Sequence, residues 1–200
     1  MRKILLGKKQ VLIVAVLVGF IILLSGCVNV KIKDYVDPQA PQKTFKRILV
    51  NCIEREMIRK DEAENTIVNN LKAYSMKKSY SPKYEVIPSS KYFFPTRSYS
   101  EQQIFDVLKE NGFDGYLVVD FRDLETSYSS YTTTDENHFS STHTQSSDKL
   151  SYMIRLMDVE SQKCIWTASS QLVPVGAGFN RTIAAMTKEI CTLLQQRKFI

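Results

Sequence analysis

Histidine is nearly absent from the 200-residue sequence: His138 and His143 are the two present, and both fall in a polar stretch without strand or helix periodicity. A nucleophilic triad needs a serine held on a strained turn, with a histidine and a carboxylate fixed on rigid elements. No Gly-x-Ser-x-Gly occurs, and no histidine lies in a periodic segment. Glycine is sparse as well. Gly176-Ala177-Gly178 stands between a strand pattern and a helix pattern, as a dinucleotide loop would, but Arg181 holds the place of the third glycine. The spacing of His138 and His143 with Asp135 and Asp148 matches no common metal-ligand motif. Asp114, Asp120 and Asp123 cluster near the ends of one strand pattern, where acids serve solubility and capping. These absences predict no enzyme, no cofactor, no metal ion and no small-molecule substrate.

What is present begins at the N-terminus. A basic head, Met1-Arg2-Lys3-Ile4-Leu5-Leu6-Gly7-Lys8-Lys9, precedes an apolar run from Val11 to Leu24 and then Ser25-Gly26-Cys27. This is the anatomy of a signal peptide. The run of 14 residues makes a helix of roughly 21 Å at about 1.5 Å per residue, short of the ~30 Å hydrocarbon core. Leu24-Ser25-Gly26-Cys27 resembles the lipobox of bacterial lipoproteins. The resemblance implies diacylglyceryl transfer to the Cys27 thiol, cleavage between Gly26 and Cys27, and acylation of the new amine. Leu24, Ser25 and Gly26 are then the peptidase-recognition residues, small ones being needed beside a scissile bond. Two or more acyl chains make a stable anchor, where one would be marginal. The alternative is an uncleaved membrane helix with a cysteine at its end; both readings put the domain on a membrane. Val28 rather than Asp follows the cysteine, which by resemblance to the lipoprotein retention rule implies the inner leaflet of the outer membrane, facing the periplasm.

Cleavage changes what the charge means. Residues 1–26 hold four basic residues and no acid, so the formal charge of +6 falls to +2. The basicity belongs to the leader, and no nucleic-acid partner is indicated. Residues 27–200 suffice for one domain. Cys52, Cys164 and Cys191 remain in apolar settings, an odd number that permits at most one bridge; they read as buried thiols packing as small hydrophobes.

Residues 27–43 read as the lipidated cysteine and an extended tether, polar and with two prolines, part of which has room to lie along the domain. From residue 44 on, strand and helix patterns alternate. Ile48–Ile53 is an apolar run suited to a strand buried on both faces. Asp61-Glu62-Ala63-Glu64 resembles a capping box, with Ala63, Ile67, Leu71 and Tyr74 at helical spacing. Tyr84–Ile87, closed by Pro88, is a second strand. Ser100-Glu101-Gln102-Gln103 is a second capping box that opens a helix stopped by Gly112. Gly115–Phe121 is the most apolar strand and reads as central. Tyr152–Met157 and Cys164–Ala168 form a hairpin, and Ile183, Met186, Ile190, Leu193 and Leu194 share one face of a last helix. The expected fold is α/β, bordering on α+β: a single domain with the order β-α-β-α-β-β-β-α and a mixed sheet of about five strands. The first three strands should be parallel and the last two an antiparallel edge.

This order, the Asn-Gly-Phe-Asp-Gly step into the central strand, and the Arg-Leu-Met-Asp…Cys-Ile-Trp hairpin resemble a group of periplasmic lipoprotein domains. They include the curli-secretion lipoprotein, the N-terminal domain of TolB and the lipoprotein activator of penicillin-binding proteins. The resemblance implies a non-catalytic domain that binds other envelope proteins. It does not extend to residues 126–148, rich in Ser, Thr and Tyr, which cannot form a core and read as a long ribbon or a loop. Two stretches have the composition of a partner surface. One is the aromatic loop with Tyr92, Phe93, Phe94 and Arg97; the other is the ribbon with Tyr128 and Tyr131. A second functional reading, a subunit of a secretion or pore complex, requires that ribbon to be an inserting hairpin.

Overall fold

The sheet grows from the parallel pairing of β2 (Arg47–Ile53) with β3 (Glu85–Pro88) and with the first part of β4 (Gly115–Thr134). The computed structural model describes residues 32–40, 42–54, 57–76, 83–94, 96–134, 140–171 and 179–200. Helix α1 (Met57–Met76) joins β2 to β3, and α2 (Glu101–Glu110) joins β3 to β4. Then come the antiparallel strands β5 (Ser140–Asp158) and β6 (Lys163–Gln171), and helix α3 (Phe179–Gln196). The strand order is β1-β6-β5-β4-β2-β3. The three parallel strands, the antiparallel hairpin and the mixed α/β class follow the sequence reading. The sheet, however, has six strands rather than five. The extra one, β1 (Ile32–Val36), comes from residues read as tether and covers the outer edge of β6.

Alternation along the strands divides the core in two. Ile48, Val50 and Cys52 of β2 and Leu117 and Val119 of β4 face a large core closed by α1 and α3. Leu49, Tyr116 and Val118 point the other way, into a smaller core with Phe105, Leu108 and Phe113. Strands clothed on both sides are continuous apolar runs for this reason. Ile183, Met186, Ile190 and Leu194 of α3 are fully buried, as their spacing predicts, with Leu193 packed at the margin.

The start of α2 forms as read: Ser100 Oγ accepts from Gln103 N at 3.3 Å and Gln103 Oε1 accepts from Ser100 N at 2.9 Å. Gly112 ends the helix at φ +70°, in the left-handed region that glycine enters without strain. The capping box read at Asp61–Glu64 does not open α1. That helix already runs from Met57, so Asp61 lies within it.

Gly115 is required by close approach. A Cβ there would lie 2.9 Å from Phe45 Cδ1 and 3.1 Å from Ile48 Cγ1, and Phe45 is itself fully buried. Gly115→Ala is therefore expected to destabilise the domain by roughly 1–3 kcal/mol through overpacking, measured by urea denaturation. A variant as stable as the parent would contradict that packing.

Candidate interaction site

Most acidic and aromatic side chains with chemistry to offer are engaged in holding the fold. Asp114 accepts the main-chain N–H groups of Lys46 and Arg47, both at 2.8 Å, and so fixes the start of β2 beside β4. Asp120 pairs with Arg122 Nε at 3.1 Å. The two acids flank opposite ends of the sheet part of β4, about 20 Å apart at ~3.3 Å per residue. They are not brought together as a carboxylate pair. Asp158 accepts from Lys43 Nζ at 2.6 Å and from the Ser161 N–H and hydroxyl at 3.0 and 2.6 Å, closing the β5–β6 turn. Burial pushes its carboxyl up, but Lys43 and Ser161 outweigh that and hold it below its ordinary value.

Sequence reasoning missed Glu64. Its carboxylate is fully buried and accepts from Cys52 N at 3.0 Å, Ser89 Oγ at 2.7 Å and Ser90 N at 3.2 Å. Lys60 Nζ stands 3.8 Å away. Ser89 also reaches Asn51 Oδ1 at 3.2 Å, and Asn51 Nδ2 donates to Tyr116 Oη at 2.7 Å. Burial pushes the Tyr116 phenol up to about 12. A buried charge must be met by donors, and here the donors are the end of β2 and the turn after β3. The network is structural glue. The available signal was an acid at helical spacing from Ile67 and Leu71, on the apolar face.

The thiols are equally inert. Cys52, Cys164 and Cys191 form no disulfide with one another; Cys52 and Cys191 are buried, as the sequence reading had them, and Cys164 is half-buried. Burial raises the Cys52 and Cys164 thiols above their ordinary value, so they stay protonated. Among the described residues no His, Cys, Asp and Glu group is arranged to hold a metal ion. His138 and Gly176-Ala177-Gly178 lie outside the described residues, as do the lipobox residues Leu24, Ser25, Gly26 and Cys27.

The aromatic loop divides. Tyr92 packs edge-on against Phe113 with centroids 5.2 Å apart, and Phe93 does so against Tyr99 at 5.1 Å. Both border the smaller core. Phe94, two-thirds exposed, and Arg97 face solvent. Half of this predicted surface is thus packing.

The ribbon reads differently. Beyond the sheet, β4 and β5 continue as a two-stranded antiparallel ribbon from Leu124↔Leu150 to Thr134↔Ser140, with Tyr128 opposite Ser146 and Tyr131 opposite His143. Residues 126–148, for which the sequence left ribbon or loop open, are ribbon on both sides of residues 135–139. A register shift between Arg122 and Leu124 marks its root; such bulges bend and twist a strand pair. β2 pairs with β4 only as far as Asp120, and β6 with β5 only from Ser151. Among the described residues the ribbon's outer edges therefore meet no further strand. Tyr131 is 54% exposed on it. Among the ribbon side chains described (130–133 and 140–142), all are exposed and none belongs to either core.

At the opposite edge of the sheet, β1 is fastened by Asp34. Its carboxylate accepts Arg197 Nε at 2.9 Å, Arg197 Nη2 at 3.1 Å and the Trp166 indole N–H at 3.1 Å. The Arg197 guanidinium is the main cause that holds the Asp34 carboxyl below its ordinary value; partial burial opposes it and Trp166 supports it. A depressed folded pKa contributes stability above the unfolded value of about 3.9, lost as pH falls through the folded one. Protection factors of β1 amides are thus expected to hold between neutral pH and the unfolded value and to drop at lower pH. Asp34→Asn should lower them on the order of tenfold at neutral pH while α1 amides keep theirs, as read by hydrogen exchange. Unchanged β1 protection would contradict the fastening.

Among the described residues no helix is long and apolar enough to cross a membrane. No family model and no curated protein matches the sequence. Among solved structures, a PelC dodecamer from Paraburkholderia phytofirmans is similar with a TM-score of 0.49 at 11% identity, over 86% of this chain and 99% of that one. The lipoprotein GNA1162 from Neisseria meningitidis is similar with a TM-score of 0.43 at 14% identity, over 76% of this chain and 99% of that one.

Proposed function

We propose that the protein is a lipoprotein held on the outer membrane by acyl chains on Cys27, and that its periplasm-facing domain is a non-catalytic adaptor for other envelope proteins. One observation carries the adaptor reading: the ribbon of β4 and β5 leaves the sheet with edges that, among the described residues, no further strand covers. Such edges offer main-chain donors and acceptors for strand addition by a partner, and soluble domains normally blunt or cover them. Exposed Tyr131 supplies a rigid contact residue on the ribbon, and exposed Phe94 a second apolar one. The acids Asp34, Asp114, Asp158 and Glu64 support the same reading, since each is engaged in holding the fold.

A photoreactive phenylalanine analogue in place of Tyr131, irradiated in intact envelopes, is expected to give a discrete adduct with another envelope protein. Copurification of small molecules or metal alone, with no protein adduct, would overturn the reading.

The second reading, a subunit of a secretion or pore complex, draws on the ribbon's length, since 9–11 residues per strand are enough to cross a bilayer. A spanning strand needs apolar residues at every second position. The ribbon sequence is Ser, Thr, Tyr, Gln, His and charged residues at both alternating sets, with Leu124 and Leu150 confined to its root. We therefore prefer the adaptor.

A further inference from the structure

We infer that the β4–β5 ribbon is the membrane-facing element of the domain and lies along the bilayer surface that carries the anchor. This rests on the lipidation of Cys27 proposed above and specifies where the ribbon does its work.

The register supplies the geometry. Ile32 pairs with Ser170, Ser170 with Tyr152, and Tyr152 with Phe121. The first residue of β1 is therefore level with Phe121, just before the ribbon's root. Because β1 runs antiparallel to β6, its N-terminal end, Ile32, stands at the ribbon end of the sheet. Cys27 is five residues from Ile32, a span of at most about 18 Å. With the opposite end of the sheet against the membrane, Ile32 would stand about 20 Å above it, the length of β4 from Gly115 to Phe121 at ~3.3 Å per residue. The β5–β6 turn adds further height. The leash does not reach, whereas with the ribbon end down it does.

The ribbon is longer than the leash. Its rows from Leu124 to Thr134 extend about 33 Å at ~3.3 Å per residue, nearly twice the chain that holds the sheet to the surface. A ribbon aimed straight at the membrane would have to enter the hydrocarbon, which its polar sequence opposes. The bulge at its root is the place where it bends aside. Lying flat, it presents residues of the type found at headgroup level, tyrosine among them.

The test uses the lipidated full-length protein in vesicles of phosphatidylethanolamine and phosphatidylglycerol with a headgroup-linked acceptor dye. A donor is placed at Thr133→Cys on the ribbon or at Glu160→Cys in the turn at the other end; the unsubstituted protein corrects for labelling of Cys52, Cys164 and Cys191. Energy transfer is expected to be several-fold stronger from position 133. Equal or stronger transfer from position 160 would overturn the inference. Bromines deep in the acyl chains should leave a fluorophore at position 133 unquenched; strong quenching would mean that the ribbon crosses the membrane and would overturn the surface placement. Palmitate incorporation is measured first on the same preparation. An unlabelled Cys27 would sink the anchor itself, and so separates that failure from a wrong orientation.

Discussion

Cys27→Ser is expected to leave the precursor uncleaved and free of lipid. The thiol is the only group at that position able to form the thioether, and serine's hydroxyl is a far weaker nucleophile at the same place. Palmitate labelling should fall to background, and the retained leader should give a slower band on a denaturing gel. The domain's stability should not change, because the described strands and helices are built from residues from Ile32 onward. A variant that is processed and labelled like the parent would contradict the anchor. The magnitude follows from the two-chain requirement: each buried methylene contributes about 0.8 kcal/mol, so complete loss of acylation removes a stable lipid anchor and leaves the retained leader as the variant's contact with the membrane.

Glu64→Ala should produce the largest loss of stability of any single polar substitution in the domain. Removal of the carboxylate strands the Cys52 and Ser90 N–H groups and the Ser89 hydroxyl in a site without solvent, and leaves a cavity as well. Deleting one partner of a buried charged network costs about 3–5 kcal/mol. Glu64→Gln keeps one acceptor oxygen and should fall between that and the parent. The measurement is the denaturant midpoint with unchanged slope. A Glu64→Ala cost below about 1 kcal/mol would contradict the role assigned to the network.

These two residues show what a sequence discloses readily and what it hides. Short-range signals were legible: the apolar runs of β2 and β4, the Ser100 capping box and the Gly112 stop each depend on neighbours within a few positions. The hairpin of β5 and β6 was legible for the same reason. β1 was not, because Ile32, Asp34 and Val36 alternate with exposed Lys33 and Tyr35 in a stretch that is polar on average. What turns Asp34 inward is Arg197, 163 residues away. Glu64 was misread because an acid near a helix start suits a cap, whereas its true partners lie on the end of β2 and the turn after β3. The aromatic loop misled in the opposite sense: Tyr92 and Phe93 have the composition of an interface and the contacts of a core. For residues 126–148, composition excluded a core, and only the register decided for a ribbon.

On this account the fold and the proposed activity occupy separate parts of the molecule. Among the described side chains the larger core reaches the row of Phe121 and Tyr152 and the smaller one stops at Val118, and the described ribbon side chains are exposed; the ribbon is taken to add surface without supporting the domain. Replacement of residues 124–150 by an Asn-Gly turn, a sequence suited to a two-residue hairpin, removes it. The decisive measurement is envelope crosslinking of this shortened chain beside the parent, with thermal unfolding followed on both. The account predicts that the shortened chain unfolds within a few degrees of the parent, remains in the membrane fraction and loses its protein adducts. Adducts that persist unchanged would contradict it.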